Sequence, residues 1–215
     1  MKKILIVMLM LVTATVAKSQ ITHTASGTED KKASAILADA AKKMNGAPVT
    51  FTVTMVNRDS QKKETARQTA QVLYSKGKYR VSFPSNILYS DGKSIWHWNQ
   101  DVSEVVVQNI GETEDLMNPA LLLSTYQKNF KAKYIRSEAD GSSVIDLTPK
   151  KSRSYHKIRV IISKNSLPVR MEIHNYDATV GEFIVSGFKS GVSCNDKDFV
   201  FDASAHKNVE IIDMR

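Results

Sequence analysis

This sequence contains little cysteine, glycine or proline: one, nine and five residues respectively in a chain of 215. The single cysteine, Cys194, excludes any disulfide within the chain, so the fold must depend on a hydrophobic core. No low-complexity linker and no persuasive repeat divides the sequence. Beyond the N-terminus, no apolar run reaches the roughly 20 residues that a membrane-spanning helix needs. These absences predict a chain that folds as one domain.

Signatures of common catalytic sites are also missing. The sequence contains neither a glycine-rich phosphate loop nor a G-x-S-x-G nucleophile motif. Cys194 and His206 are twelve residues apart and could form a thiol–histidine pair, but no recognisable signature surrounds either residue. The histidines, which show no spacing typical of metal ligands, are His23, His97, His156, His174 and His206. We therefore expect no enzyme activity, no cofactor and no metal.

The N-terminus has the pattern of a secretory signal peptide. Two lysines precede an apolar run, Ile4–Val16, and small residues follow it. This order of charge, short apolar run and small residues is typical of an exported protein. We expect residues 1–19 to be removed by cleavage between Ser19 and Gln20. Residues 20–215 would then form a single soluble domain in the periplasm.

Basic residues are in moderate excess. The chain carries 30 lysines and arginines against 22 aspartates and glutamates, and three of the lysines belong to residues 1–19. Most basic residues are scattered, so we expect no nucleic acid partner. One run is concentrated, PKKSR at Pro149–Arg153. Such a run could contact phosphates or anionic lipid headgroups, or it could simply be a solvated loop.

Alternating apolar and polar side chains predict a mainly β protein. In Val49–Asn57, apolar residues at every second position are typical of a half-buried strand. Asp91-Gly92 and Asp140-Gly141 supply the positive backbone angles that tight hairpin turns need. Further strands are expected in Ala70–Phe83 (two, about Gly77), Ile87–Tyr89, Ser94–Trp98, Val102–Gln108, Ala132–Pro149 (a hairpin), His156–Asp177 (a hairpin), Gly181–Phe188, Asp198–Asp202 and Val209–Met214.

Two segments break the β pattern. Lys31–Met44 is rich in alanine and is followed by Asn45-Gly46, which predicts a helix. Gly111–Phe130 predicts two short helices, with Thr113 as a cap and Pro119 as the point of a kink or restart. The apolar side chains of this insertion cover a wide arc. It therefore either plugs the open face of a sheet or forms a lid over an apolar cavity.

Both tryptophans lie in one predicted strand, two positions apart. Trp96 and Trp98 therefore point to the same face, and His97 between them is expected on the outer side. A long antiparallel sheet must curl or be covered, and a curled sheet closed by helices leaves room for a ligand. The two indoles then line either a packed interior or the wall of a cavity.

Five motifs in order resemble the LolA family of periplasmic carriers of outer-membrane lipoproteins. The most specific are S-D-G-K-x-x-W, which begins the tryptophan strand at Ser90–Trp96, and L-x-P-K at Leu147–Lys150. The others are GKYRVSFP at Gly77–Pro84, NPALLL at Asn118–Leu123 and FVFD at Phe199–Asp202. The resemblance covers nearly the whole chain after the signal segment.

The resemblance implies an incomplete, half-open antiparallel β-barrel closed by a helical lid around an apolar cavity. The implied function is to bind the acyl chains of triacylated lipoproteins. An ATP-dependent exporter in the inner membrane would supply them, and an acceptor in the outer membrane would receive them. We expect the carrier to be a monomer. The alternative is a LolA-like module that binds a different lipid cargo or senses the state of the envelope.

Strand alternation and apolar pattern, together with the resemblance, indicate the site. The expected residues are Phe51, Val53, Met55, Tyr79, Val81, Trp96 and Trp98 in the wall, and Leu116, Met117, Leu121, Leu122 and Tyr126 in the lid. A shift of one residue in strand phase would turn any wall residue outward. Members of the family commonly have an arginine before the Gly-aromatic strand, and it is associated with holding the lid shut. Here Lys76 is the nearest cation and the candidate gate, although lysine lacks the forked donor geometry of arginine.

Overall fold

The computed structural model describes residues 30–110, 119–206 and 208–215. The expected signal peptide, the expected cap Thr113 and the lid residues Leu116 and Met117 lie outside these ranges. The helices are α1, Lys31–Asn45, and α2, Pro119–Asn129. The strands are β1 Val49–Arg58, β2 Glu64–Ser75, β3 Lys78–Ser82, β4 Asn86–Ser90, β5 Ser94–Asn99, β6 Glu104–Asn109, β7 Phe130–Ser137, β8 Ser143–Pro149, β9 Tyr155–Ile162, β10 Pro168–Asn175, β11 Val180–Ser190 and β12 Glu210–Asp213.

All twelve strands belong to one sheet, in the order β12-β6-β5-β4-β3-β2-β1-β11-β10-β9-β8-β7. Strands β1–β6 and β7–β11 form two antiparallel meanders, which β1 and β11 join by pairing with each other. In the described part of the chain, β12 and β7 are the two edges of this sheet, so it does not close. The predicted mainly β, half-open barrel is confirmed. One pairing was not expected, because β12 runs parallel to β6.

Short polar side chains and positive backbone angles make the hairpin turns. At the turn between β4 and β5, the Asp91 carboxylate accepts hydrogen bonds from the backbone N–H groups of Lys93 and Ser94, both at 2.8 Å. Gly92 in the same turn has φ +90°, a conformation that glycine adopts without steric cost. The Asp-Gly signal in the sequence therefore predicted this hairpin correctly.

Helix α1 confirms the helix predicted at Lys31–Met44. The side chain of Asp30 caps it by accepting a hydrogen bond from the backbone N–H of Ala33 at 3.0 Å. The second oxygen of the same carboxylate accepts from the backbone N–H of Tyr134 in β7 at 2.8 Å. These two backbone donors lower the pKa of Asp30. One side chain thus both begins the helix and fastens it to an edge of the sheet.

The buried apolar side chains form two clusters. The main cluster occupies the inner face of the sheet, which we define as the face covered by α1 and α2. Leu37 and Met44 of α1 belong to it, and so do Leu122 and Tyr126 of α2. The second, which we call the outer cluster, contains Val105, Val107, Phe201, Tyr89, Trp96, Trp98 and Val209. The main cluster provides the hydrophobic core that the lack of disulfides requires.

The strand predicted at Asp198–Asp202 is wrong. The chain instead forms a 3₁₀ turn over Asp196–Phe199. Asn195 accepts a hydrogen bond from the backbone N–H of Lys197 at 2.9 Å, and the Asp198 carboxylate accepts from the backbone N–H of Asn195 at 2.7 Å. Short polar side chains that bond to the nearby backbone compete with strand pairing, and here they prevail.

The two helices are too short or too polar to enter a bilayer as spanning segments. Among the residues described, no helix combines the length and the apolar character that crossing a membrane requires.

Candidate functional site

An apolar pocket lies between α2 and the inner face of the sheet. Its empty volume is about 690 Å³, which includes space open to solvent. The lining residues are Phe51, Val53, Met55, Ala70, Val72, Val81, Phe83, Leu122, Leu123, Val160, Pro168, Arg170, Met171, Phe183 and Val185. All but Arg170 are apolar, so the site is suited to an apolar ligand.

Cross-strand pairing brings the wall residues together. Val53 of β1 pairs with Ala70 of β2 on one side and with Val185 of β11 on the other. Met171 of β10 pairs with Phe183 of β11, and with Val160 of β9. Because directly opposite residues share a face of the sheet, these side chains form a continuous apolar surface.

Arg170, the charged residue among those that line the pocket, is directly opposite Ile184 in the sheet, and its side chain is paired on that outer face. Its Nε lies 3.4 Å from the carboxylate of Glu182, and Nη2 of Arg58 lies 3.2 Å from the same carboxylate. Glu182 is only 8% exposed, so these two guanidinium groups compensate a carboxylate that would otherwise be costly to bury. This charge cluster links side chains of β1, β10 and β11.

Helix α2 covers the pocket and is fastened at two points. Leu122 and Leu123 near its start are each 2% exposed and line the pocket. The Tyr126 hydroxyl donates a hydrogen bond to Oγ of Ser34 in α1 at 3.1 Å. At the next residue, Nζ of Lys150 donates to the backbone carbonyl of Gln127. The helix is thus in place as a cover, and a few polar contacts fasten it.

The structure brings together part of the expected site. Five of the expected residues line the pocket: Phe51, Val53, Met55, Val81 and Leu122. Tyr79 and Tyr126 are buried in the adjoining main cluster but do not line the pocket. Leu121 belongs to α2, while Leu116 and Met117 lie outside the described residues.

The expected place of the two tryptophans in the cavity wall needs correction. Trp96 and Trp98 share a face, as predicted, but it is the outer face of the sheet. Ile95, the residue before Trp96, belongs to the main cluster on the opposite face. The C-terminal segment covers the indoles: the ring centroids of Trp98 and Phe201 are 5.4 Å apart, and those of Trp98 and His206 are 4.1 Å apart. Both faces of β5 carry buried or partly buried apolar side chains. The apolar pattern of this strand therefore could not show which face lies toward the pocket.

His97 was expected on the outer side of the hairpin, and the placement of the tryptophans on the outer face corrects this expectation. His97 alternates with Trp96 and Trp98 and therefore lies on the same face as Ile95, which is the inner face. His97 itself is exposed to solvent.

Ten pocket residues were missed by the sequence reasoning: Ala70, Val72, Phe83, Leu123, Val160, Pro168, Arg170, Met171, Phe183 and Val185. Most lie on β2 and β9–β11, which were predicted as strands without assignment of their faces. Alternation within Gly181–Phe188 could have placed Phe183 and Val185 on one face. No pattern within this segment shows that its face lies beside β1, because the pairing of β1 with β11 joins segments more than a hundred residues apart.

The candidate gate Lys76 lies at an exposed turn between β2 and β3. Lys76 and Gly77 have φ +49° and +86°, the positive angles of a two-residue hairpin turn. The Tyr74 hydroxyl accepts from the backbone N–H of Gly77 at 3.0 Å and donates to Asn45 at the end of α1 at 2.7 Å. Burial raises the pKa of Tyr74. The turn is therefore tied to α1, and a role of Lys76 as a gate stays a prediction.

Cys194 and His206, considered above as a thiol–histidine pair, have different surroundings. Cys194 is half-buried in the loop after β11. The His206 ring stacks on Phe201, with centroids 5.1 Å apart and an angle of 16° between the planes. Within the described ranges, no three or more histidine, cysteine or acidic side chains come together in a group that could bind a metal.

Comparisons with known proteins agree with this architecture. Residues 77–202, more than half of the chain, match the family model described as outer membrane lipoprotein carrier protein LolA. The structure is similar to that of an uncharacterized conserved protein from Thermus thermophilus, with a TM-score of 0.56, 14% identity, and coverage of 82% of this chain and 96% of that one. This likeness shows a shared fold.

Two further solved structures have lower TM-scores. A LolA superfamily protein from Nitrosomonas europaea has a TM-score of 0.46 and 16% identity, with coverage of 79% of this chain and 97% of that one. A putative outer membrane lipoprotein-sorting protein domain from Vibrio parahaemolyticus has a TM-score of 0.46 and 12% identity, with coverage of 79% and 96%. A comparison with curated protein sequences found no match.

Proposed function

Since this chain belongs to the LolA family of outer membrane lipoprotein carrier proteins, we propose that it carries acylated lipoproteins from the inner to the outer membrane. The observation that supports this most directly is the apolar pocket under α2. Its lining offers aliphatic and aromatic surface to a ligand, with one paired arginine. The acyl chains of the cargo would occupy this pocket.

The physical need for such a carrier follows from the hydrophobic effect. Each methylene of an acyl chain that leaves water gains about 0.8 kcal/mol, so a triacylated protein does not cross an aqueous compartment unshielded. Several lining residues, among them Met55, Val81 and Phe183, are only partly buried. Acyl chains laid against them would remove that apolar surface from water. Apolar surface that stays exposed after binding contributes no binding free energy. The affinity for acyl chains is then moderate, which favours their release.

In this proposal α2 is the lid. Leu122 and the preceding lid residues Leu116, Met117 and Leu121 would cover the bound chains. The volume under α2 must grow to admit three chains, so the helix has to move outward. Its polar fastening, including the bond between Tyr126 and Ser34, is weak enough to break and re-form during loading.

The remaining parts of the proposal concern the cellular setting. The protein would be exported, processed before Gln20 and active in the periplasm as a monomer formed by residues 20–215. An ATP-dependent exporter would load it and an outer-membrane acceptor would unload it. It would work by binding alone, without a catalytic step or a cofactor.

The test compares two substitutions at adjacent positions of β11. Val185 lines the pocket, whereas its neighbour Ile184 points to the outer face, and both are half-buried. Val185→Asp places a carboxylate in the apolar site, and we expect it to reduce complex formation with a triacylated lipoprotein by about tenfold or more. Ile184→Asp is the matched control and should retain binding.

The measurement is the amount of soluble lipoprotein released from inner-membrane vesicles that contain the exporter. The same lipoprotein stripped of its acyl chains should not form a complex. Equal binding of the stripped cargo, or equal loss in both variants, would contradict the proposal. If free fatty acid binds but the lipoprotein does not, the cargo is a different lipid.

A further inference from the structure

Strand β2 extends well beyond its neighbour β3. On one side β2 pairs with β1 over nearly its whole length, from Glu64 to Tyr74. On the other side it pairs with β3 only from Gln71 to Ser75. Among the described residues, the segment 64–70 therefore has no partner strand on that side. We call this segment the open edge, and its residues 64–69 are all exposed.

A proline explains why β3 does not cover the open edge. Ser82 is the last residue of β3 that pairs with β2, and continuing the same register would set Pro84 opposite Thr69. Proline has no backbone N–H and cannot complete such a pair. The chain turns instead, and the backbone N–H of Phe83 donates to the carbonyl of Asn86 at 2.8 Å. The sequence itself therefore keeps β3 away from this part of β2.

Two residues of the open edge direct their backbone groups away from β1. In a hairpin with a two-residue turn, the residues that flank the turn exchange hydrogen bonds, and here they are Ser75 and Lys78. Bonded pairs recur at every second position, so Arg67 and Thr69 continue this series beyond the end of β3. Their N–H and C=O groups have no partner among the described residues on that side. Donors and acceptors in this spacing match an extended polypeptide.

The open edge begins at the pocket. Ala70 at its end lines the pocket, and so does Phe83, directly after β3. Gln68, the next residue of β2 on the same face, pairs with Met55, another lining residue. Met55 and Phe83 are only half-buried, so the pocket is open to solvent on this side. A ligand with its acyl chains in the pocket would therefore have its polar part beside the open edge.

We propose that the open edge binds the polypeptide part of the cargo as a strand added to β2. This inference rests on the proposed function, since it concerns the chain that follows the acylated residue of a lipoprotein. A triacylated lipoprotein carries its acyl chains on its first residue, so its chain would start at the pocket. It would run from Thr69 toward Glu64, antiparallel to β2. Bonds to Arg67 and Thr69 use only main-chain groups of the cargo, which suits a carrier of lipoproteins with different sequences.

The test removes one outward N–H group and leaves the pairing with β1 intact. The variant is Arg67→Pro, because proline is tolerated at an edge position whose N–H faces solvent. Its matched control is Arg67→Ala. Both variants lose the ion pair between Arg67 and Glu64, whose charged atoms are 2.7 Å apart, but only the control keeps the N–H group. Thr69→Pro with Thr69→Val is a second, independent pair, and neither position lines the pocket.

The experiment measures the affinity of residues 20–215 for two ligands, a triacylated cysteine and the same group followed by a peptide of about ten residues. We expect the unchanged protein to bind the lipopeptide about tenfold more tightly than the triacylated cysteine. Arg67→Pro and Thr69→Pro should bind the lipopeptide about fivefold more weakly than their controls, since one hydrogen bond contributes roughly a factor of five. All four variants should bind the triacylated cysteine equally, which shows that they are folded.

Hydrogen exchange of individual amides, measured by nuclear magnetic resonance, locates the added strand. The amides of Arg67 and Thr69 should exchange rapidly in the free protein, because no described group accepts from them. The lipopeptide should protect both amides, and the triacylated cysteine should protect neither.

Several outcomes would overturn this inference. Equal affinity of the unchanged protein for the two ligands, or equal loss in the proline variants and their controls, would refute the added strand and leave the pocket proposal intact. Protection of amides in β7 or β12 in place of Arg67 and Thr69 would place the strand elsewhere. If neither ligand binds, the proposed function fails and this inference fails with it.

Discussion

Trp98 packs its indole ring against Phe201 and His206, on the face of the sheet opposite the pocket. Its Nε1–H group is buried and has no hydrogen-bond partner among the described residues. Leaving such a group unpaired costs free energy, so the position is maintained by the aromatic packing around it. The residue therefore stabilises the C-terminal segment on the sheet and has no contact with the pocket.

This placement predicts the result of a quenching experiment with the unchanged protein. The chain contains only two tryptophans, so its indole fluorescence comes from the outer cluster. A fatty acid brominated along its chain quenches tryptophan only at close range. We expect it to bind in the pocket and to leave the fluorescence almost unchanged.

The control is a tryptophan introduced into the wall. Val81→Trp lines the pocket, so its additional fluorescence should be quenched by the same fatty acid. Strong quenching of Trp96 and Trp98 in the unchanged protein would show that acyl chains bind on the outer face instead.

At the scale of the element, α2 combines a buried apolar face with polar ties. Leu122, Leu123 and Tyr126 are buried in the main cluster, and the Tyr126 hydroxyl donates a hydrogen bond to Ser34 in α1. The apolar contacts favour the closed position, and the hydrogen bond adds a smaller contribution. A helix attached in this way can act as a cover that opens at moderate cost.

Removing the tie between α2 and α1 should make exchange of the ligand faster. Tyr126→Phe keeps the ring and deletes the hydroxyl that donates to Ser34. The loss is about 1 kcal/mol, so we expect release of an apolar fluorescent probe to be up to about fivefold faster. Stopped-flow displacement measures this rate.

Ser34→Ala provides the complementary variant, since it removes the acceptor and leaves Tyr126 in place. The double variant should release the probe no faster than Ser34→Ala alone, because that single variant already lacks the bond that Tyr126→Phe removes. Additive effects in the double variant would contradict the assignment of this bond as the tie.

At the scale of the whole molecule, one sheet carries clusters on both faces. The main cluster draws residues from α1, α2 and both meanders, and the outer cluster links β5 and β6 to the C-terminal segment. The pairing of β1 with β11 makes the two meanders interdependent. This arrangement is the basis for proposing a single folding unit in residues 20–215.

We therefore predict that the two clusters unfold together. Tryptophan fluorescence reports the outer cluster and far-ultraviolet circular dichroism reports the sheet, and their urea midpoints should coincide. Val105→Ala creates a cavity in the outer cluster, where Val105 is fully buried, and should cost about 1–3 kcal/mol.

The test is whether Val105→Ala shifts the urea midpoints of both the fluorescence and the circular dichroism signals. In a single unit, Val105→Ala lowers the midpoint seen by each probe equally. A shift in the fluorescence midpoint alone would show that the outer cluster unfolds independently and that the chain contains more than one cooperative unit.

Local patterns in the sequence predicted most of the elements. Asp91-Gly92 and Asp140-Gly141 marked hairpins because a tight turn needs positive backbone angles at those positions. Alternation in Val49–Asn57 identified both the strand and its inner face, because only one face of β1 carries large apolar side chains toward the helices. The composition of Lys31–Met44 predicted the helix, but the sequence did not identify Asp30 as its cap.

Faces and long-range neighbours could not be predicted in the same way. Alternation fixes which residues of a strand share a face, but it does not say which face meets the pocket when both are partly covered, as in β5. Asp198–Asp202 had the composition of a strand, but side-chain bonds to the backbone place its first residues in the 3₁₀ turn at Asp196–Phe199.

The sequence by itself determined most of the elements, the hairpin connections and the family, because these depend on residues close together in the chain. The tertiary structure alone decided which strands line the pocket and where the tryptophans lie. Each of these depends on pairing between distant segments, such as β1 with β11, and such pairing is selected by the packing of the whole sheet.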